Sequence, residues 1–258
     1  MSDLIETDLG VPAASERAGD DVHIHKPKAA HGVREFLAEI GVIVVGILIA
    51  LAGEQVVETV RHDHEVEIGE RALKADYIHF LRQRAEQTAS TACVGKRLAE
   101  LRAIVDDGAR HGMLGVVGPI PKPPPHSWEI TSWDTMVASG AATHVPQAQV
   151  ILYSQISHWA KDAQATGTSE AEAWSVFDSL SGPSRRFGEA EQAMLRADIA
   201  RAAHYSGLLR VITETTEKAL LETGRLTPAE ITSARDAGAH DENVTQICAP
   251  IAYRAAAG

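Results

Sequence analysis

Fourteen consecutive residues without a charge, Ile40 to Gly53, constrain this chain more than any other feature. They sit in EIGVIVVGILIALAGEQVVE, Glu39 to Glu58, with a glutamate just outside each end of the run. As a helix, these fourteen residues reach about 21 Å, short of a hydrocarbon core of about 30 Å. Three readings compete: a membrane span, the core of a cleaved export signal, and a buried helix of a soluble domain. Extension to Leu37 and Val57 gives 21 residues in which only Glu39, Glu54 and Gln55 are strongly polar. Both glutamates then fall near the interfaces, where the cost of a charge is small. Isoleucine and valine dominate, and glycine is tolerated in spans. Ala50-Leu51-Ala52 has the small-x-small form of a cleavage site, yet a long leader ending in the acid Glu39 precedes the core. Signal peptides have short, basic leaders. A span is therefore expected, with a cleaved signal as the alternative, whose mark would be a mature N-terminus at Gly53.

Lys26, Lys28 and Arg34 precede the stretch, with His23, His25 and His31 among them, whereas Arg61 and Arg71 follow it. The positive-inside rule then places the N-terminus in the cytoplasm and the remainder outside, by a thin margin. Residues 1–32 carry scattered acids and no apolar period, and read as a disordered tail. A span with its flanks occupies 33–60, a helical domain 61–240, and a C-terminal tail 241–258. The net charge of −11 and the lack of any basic block argue against nucleic acid as a partner.

Beyond Glu58 the pattern is helical. Ile78, Leu81, Ala85, Thr88, Ala92, Gly95, Leu98, Leu101 and Val105 recur every three or four residues. With no proline between Lys28 and Pro119, one helix is expected from Val33 to Asp107, stopped at Gly108. Residues 108–127 form a Gly/Pro-rich connector, in which PIPKPPP is expected to lie as an extended strap across the bundle. TSWDTMVASG reads as a short helix opened by its hydroxyls and closed by Gly140. Pro146 opens another, ending near Gly167, followed by one over Ser169–Leu180. A further long helix covers 188–223, and the capping box TPAE starts a last one that ends at Gly238. No stretch alternates with period two long enough to be a strand. The fold class is all-α: one N-terminal transmembrane helix continuing into a long helix packed in a helical bundle.

The segment VREFLAEIGVIVVGILIALAGEQVVE resembles the N-terminal anchor of a family of uncharacterised bacterial single-span membrane proteins. The shared core is of the Val-Ile-Gly-Ile-Leu-Ile-Ala-Leu type, here Val44-Val45-Gly46-Ile47-Leu48-Ile49-Ala50-Leu51, with Gln55 following. ACVGKRLAELRAIV and SWEITSWDTMVASGAATHVP resemble other segments of such proteins. The resemblance implies an inner-membrane location and this architecture; it implies no activity.

Few residues invite a chemical reading. RHDHE, Arg61 to Glu65, places its histidines at i and i+2, which diverge on a helix, although Glu58 and His62 share a face. Asp76-x-x-His79 is half of a bundle metal motif. Neither makes a metal site, and no cofactor is expected. Cys93 lies beside Lys96 and Arg97 but lacks a positioned base, and no catalytic motif is present, so an enzyme is not expected. Trp128, Trp133, Trp159 and Trp174 read first as core anchors and second as the walls of a ligand pocket. Gly46, Ala50 and Gly53 form one small-residue stripe suited to helix packing in lipid. Cys93 and Cys248 are the only cysteines, and a bridge between them would tie down the tail. Such a bridge persists in an oxidising compartment. The functional expectation is a scaffold or interaction subunit with a periplasmic helical domain. Its partners are the lipid bilayer and a second copy or a membrane complex. The alternative is an anchored ligand-binding domain, which a pocket of convergent polar groups would favour.

Overall fold

A proline-free run makes one helix. In the computed structural model, α1 extends without a break over Val33–His111, 79 residues. The structure describes residues 32–256, so the expected tail, with His23, His25, Lys26, Lys28 and His31, lies outside the described residues. The chain divides into two units, Met1–Gln55 and Val56–Gly258. In the first, every described side chain is exposed. Its apolar window has a mean hydropathy of 2.5 with no part buried. It is long and apolar enough to cross a membrane.

In the second unit, α1 packs with α3 (Gln147–Ser175) and α4 (Glu189–Glu222), joined by the shorter α2 (Thr131–Ser139), α5 (Pro228–Ala239) and α6 (Glu242–Cys248). Contacts set the directions. Arg84 meets Glu217 and Asp106 meets Arg196, so α4 runs against α1. Tyr153 meets Arg225 and Glu170 meets Ser206, so α3 runs against α4 and alongside α1. Parallel neighbours need a return connection. Residues 112–146 supply it: they lead from the end of α1 back past Phe80 and Asp76 to His62, on whose ring His144 stacks at 3.8 Å.

Four two-residue strands, absent from the sequence reading, fasten this return. β1 (Met113–Leu114) pairs with β3 (Arg185–Arg186), and β2 (Val116–Val117) pairs with β4 (Tyr253–Arg254), both antiparallel. Two residues each are too few to show a period.

Several helix ends differ from expectation. Gly108 is buried against Phe187 and does not stop α1; Gly112, at φ 65°, does. Gly167 does not break α3, because the Trp128 indole covers it where a side chain would stand. The helix expected over Ser169–Leu180 is the end of α3 plus a 3₁₀ turn, Val176–Leu180. The hydroxyls of α2 do not cap it; Asp76 of α1 accepts from the Ser132 N–H at 2.9 Å instead. The capping box at Thr227 and Glu230 forms as read.

The tail from 241 is held more firmly than expected. It contains α6, and Arg97 donates to the Ala249 carbonyl. The Ile251 N–H donates to Glu100 at 3.0 Å, and the Tyr253 hydroxyl donates to Asp107.

Candidate functional site

The core is divided. One apolar cluster gathers Leu73–Leu81 of α1 with Trp128, Trp133, Tyr153 and Leu209. Another gathers Val94–Val105 of α1 with Trp174, Phe177, Ile199 and Ile247. Between them α1 turns polar, and Arg84, Glu86, Gln87 and Ser90 are all at most 9% exposed. The sequence stripe passed through Ala85, Thr88 and Ala92, of which Thr88 and Ala92 are exposed. The helical spacing of small residues runs onto the outer face, while the inner face is polar here.

Opposite these residues, the Thr213 hydroxyl donates to Gln87 Oε1 at 2.8 Å, and Arg84 stands 3.5 Å from Glu217. On α3, Glu170 accepts from the Ser206 hydroxyl of α4. Burial raises the Glu170 carboxyl above the usual range, and the Ser206 bond offsets part of this.

The proline strap closes the layer. Lys122 pairs with Asp178, and the Trp128 N–H donates to Gln164 Oε1 at 2.8 Å, so the strap is tied at both ends. Between these ties hangs His126, its side chain 5% exposed. Its Nε2 has no hydrogen-bond partner and lies 3.6 Å from Glu86 Oε2, beyond bonding reach. Burial holds the imidazole down at about 4, so it is neutral at pH 7. Burial, then repulsion from Asp241, raises the Glu86 carboxyl, whose Oε1 is likewise unpartnered.

Beside these groups a half-open cavity of about 210 Å³ is lined by Gln87, Ser90, His126, Glu170, Ser206 and Arg210. A hollow of about 80 Å³ on the other side of Pro123 shares His126 and Glu170 and reaches Trp128 and Trp174. Buried polar atoms are normally paired. Beside this space the His126 Nε2 is unpaired, while the side chains of Gln87, Ser90, Glu170 and Ser206 line it, an arrangement suited to holding a small molecule.

Cys93 and Cys248 stand at disulfide distance, with Cα atoms 4.8 Å apart. Gly46, Ala50 and Gly53 lie on the exposed part of α1, and no atom comes within 4 Å of a Cβ built on either glycine. Trp128, Trp133 and Trp174 are buried and Trp159 partly so, as core anchors, and Trp128 and Trp174 also reach the smaller hollow. Arg61 pairs with Glu65 at 3.4 Å, and Glu58 with His62 at 3.9 Å. Among the described residues, no three His, Cys, Asp or Glu side chains converge as a metal site.

The sequence reading missed Gln87, Ser90, His126, Glu170 and Ser206. A signal existed in Arg84, Gln87 and Ser90, polar residues at helical spacing between the apolar Leu81 and Val94. Nothing in the sequence pairs them with a histidine delivered by a loop. Comparison with family models, with curated proteins and with solved structures found no match.

Proposed function

We propose that this chain is a single-pass bacterial inner-membrane protein whose exported helical domain binds a small molecule in the cavity under the proline strap. One observation carries the ligand reading: Gln87, Ser90, His126, Glu170 and Ser206 converge on open space between two apolar cores. Burying polar groups costs stability unless they are paired, and the buried His126 and Glu86 of this layer keep unpaired atoms. A bundle selected only to fold would fill such a layer with apolar side chains, so the departure points to a binding role.

Anchoring is supported by the apolar window of α1, which none of the described residues covers. In water such a surface drives association, whereas in lipid it is satisfied. Export is supported by the Cys93–Cys248 pair, since a disulfide persists in an oxidising compartment. The excess of Lys/Arg before the span points the same way. A scaffold role, with a second copy or a membrane complex as partner, is the second reading, favoured by the open Gly46–Ala50–Gly53 face.

Gly207 lines the cavity, and a Cβ built there meets nothing within 4 Å, so Gly207→Leu starts its side chain without a clash and is chosen to obstruct the space. The full chain in lipid nanodiscs, screened against single-ring fragments by ligand-observed NMR, should yield binders that this variant loses. A screen in which no fragment distinguishes the two proteins would refute the ligand reading.

A further inference from the structure

The chemistry of the cavity narrows what it takes, on the premise that it is a ligand site. Its walls are mostly apolar, with Val94 and Leu98 from α1, Pro123 from the strap and Ala203 from α4. A dry apolar cavity of about 150 Å³ admits a benzene ring. The present one, at about 210 Å³, therefore accommodates one ring with a short substituent.

Three titratable groups face the space: Glu170, His126 and Arg210. Arg210 is half exposed and turned to Glu214, 3.8 Å away. The imidazole of His126 is neutral and brings no charge to the space. Glu170 is the acid left over. Only Ser206 is bonded to its carboxyl, and among the described residues no lysine or arginine pairs with it. A partly desolvated carboxyl without a cation is the complement of an ammonium group.

We propose that the cavity binds a small apolar amine, its ring against Val94, Leu98, Pro123 and Ala203 and its ammonium on the Glu170 carboxylate. Ser206 fixes the carboxylate by donating to one oxygen. A carboxylic acid of the same shape would meet Glu170 as a like charge, and an alcohol would gain no ion pair.

The test is calorimetry on the full chain in nanodiscs with three matched probes: 2-phenylethylamine, 2-phenylethanol and phenylacetate. The amine should bind at least roughly 30-fold more tightly than the alcohol, and phenylacetate should not bind measurably. Glu170→Gln keeps the size of the side chain and an acceptor for Ser206. It should lower amine affinity by a similar factor and the alcohol's far less, and its circular dichroism and melting should match the wild type, which shows that the variant is folded. Equal affinity for amine and alcohol, tighter binding of phenylacetate, or an amine affinity untouched by Glu170→Gln would each overturn the amine assignment and leave the cavity a ligand site. If none of the three distinguishes wild type from Gly207→Leu, the amine assignment also fails. The wider fragment screen then decides the ligand reading independently.

Discussion

A histidine that cannot take up a proton changes how stability responds to acid. Burial holds His126 at about 4, against 6.5 for an ordinary imidazole. Below pH 6.5 the unfolded chain binds a proton that the folded chain refuses, so His126 leaves stability intact above 6.5 and erodes it as pH falls toward 4. The loss reaches about 3 kcal/mol. In NMR, the His126 ring signals should stay flat from pH 8 to about 5. A titration centred at or above 6.5 would place a His126–Glu86 ion pair in the polar layer between the two apolar clusters instead. Glu230 works in the opposite sense. A hydrogen bond from Lys74, then those from Thr227, hold its carboxyl at about 2. Its contribution is present above the ordinary carboxylate range and disappears as pH falls through 2. Thr227→Ala should cost about 1 kcal/mol in urea denaturation. No change would mean that the box formed by Thr227 and Glu230 does not hold α5 in solution. These two residues were legible in the sequence because a capping box is local, four residues long. His126 was not, because its burial depends on where a strap of prolines is tied.

At the scale of elements, close approach decides which substitutions are tolerated. A Cβ on Gly238 of α5 would stand 2.0 Å from the Arg82 carbonyl of α1, a backbone atom that cannot turn aside. Gly238→Ala should therefore destabilise by about 1–3 kcal/mol, although alanine favours an isolated helix. A gain in thermal stability would mean that α5 does not seat on α1. Trp128 ties the strap to the first core, with its ring 5.3 Å from Phe80. Trp128→Ala should cost about 3–5 kcal/mol. The small-residue stripe makes a separate prediction. Gly46→Ile with Ala50→Ile should weaken association of labelled chains in bilayers by energy transfer, and an unchanged signal would leave that face to lipid. Most helices were legible from apolar period, hydroxyl and glycine. The register of the α1 face around Arg84 and Gln87 was not, since period analysis follows apolar residues and the buried face there is polar. The long α3 was missed for a related reason: Gly167 reads as a stop unless Trp128, 39 residues earlier, is known to cover it.

For the whole molecule, one bond joins stability to location. Cys93 and Cys248 are 155 residues apart, and closing that loop stabilises by up to ~5 kcal/mol in the chain-entropy model. The tail they secure is also held by Arg97, Glu100 and Asp107, so reduction should lower the melting temperature without freeing 249–256. Both cysteines and the apolar stretch were plain in the sequence, whereas their nearness needed α6 to fold. On the proposed reading, this chain is anchored in a membrane and exposes its helical domain to an oxidising space. Anchoring and export are tested most directly by intact mass spectrometry of protein from alkali-washed membranes, after free thiols are trapped with an alkylating agent. The predicted result is a chain that retains Ile40 to Gly53 and takes up no alkyl group until it is reduced. A chain beginning at Gly53, or one carrying two alkyl groups without reduction, would contradict the account.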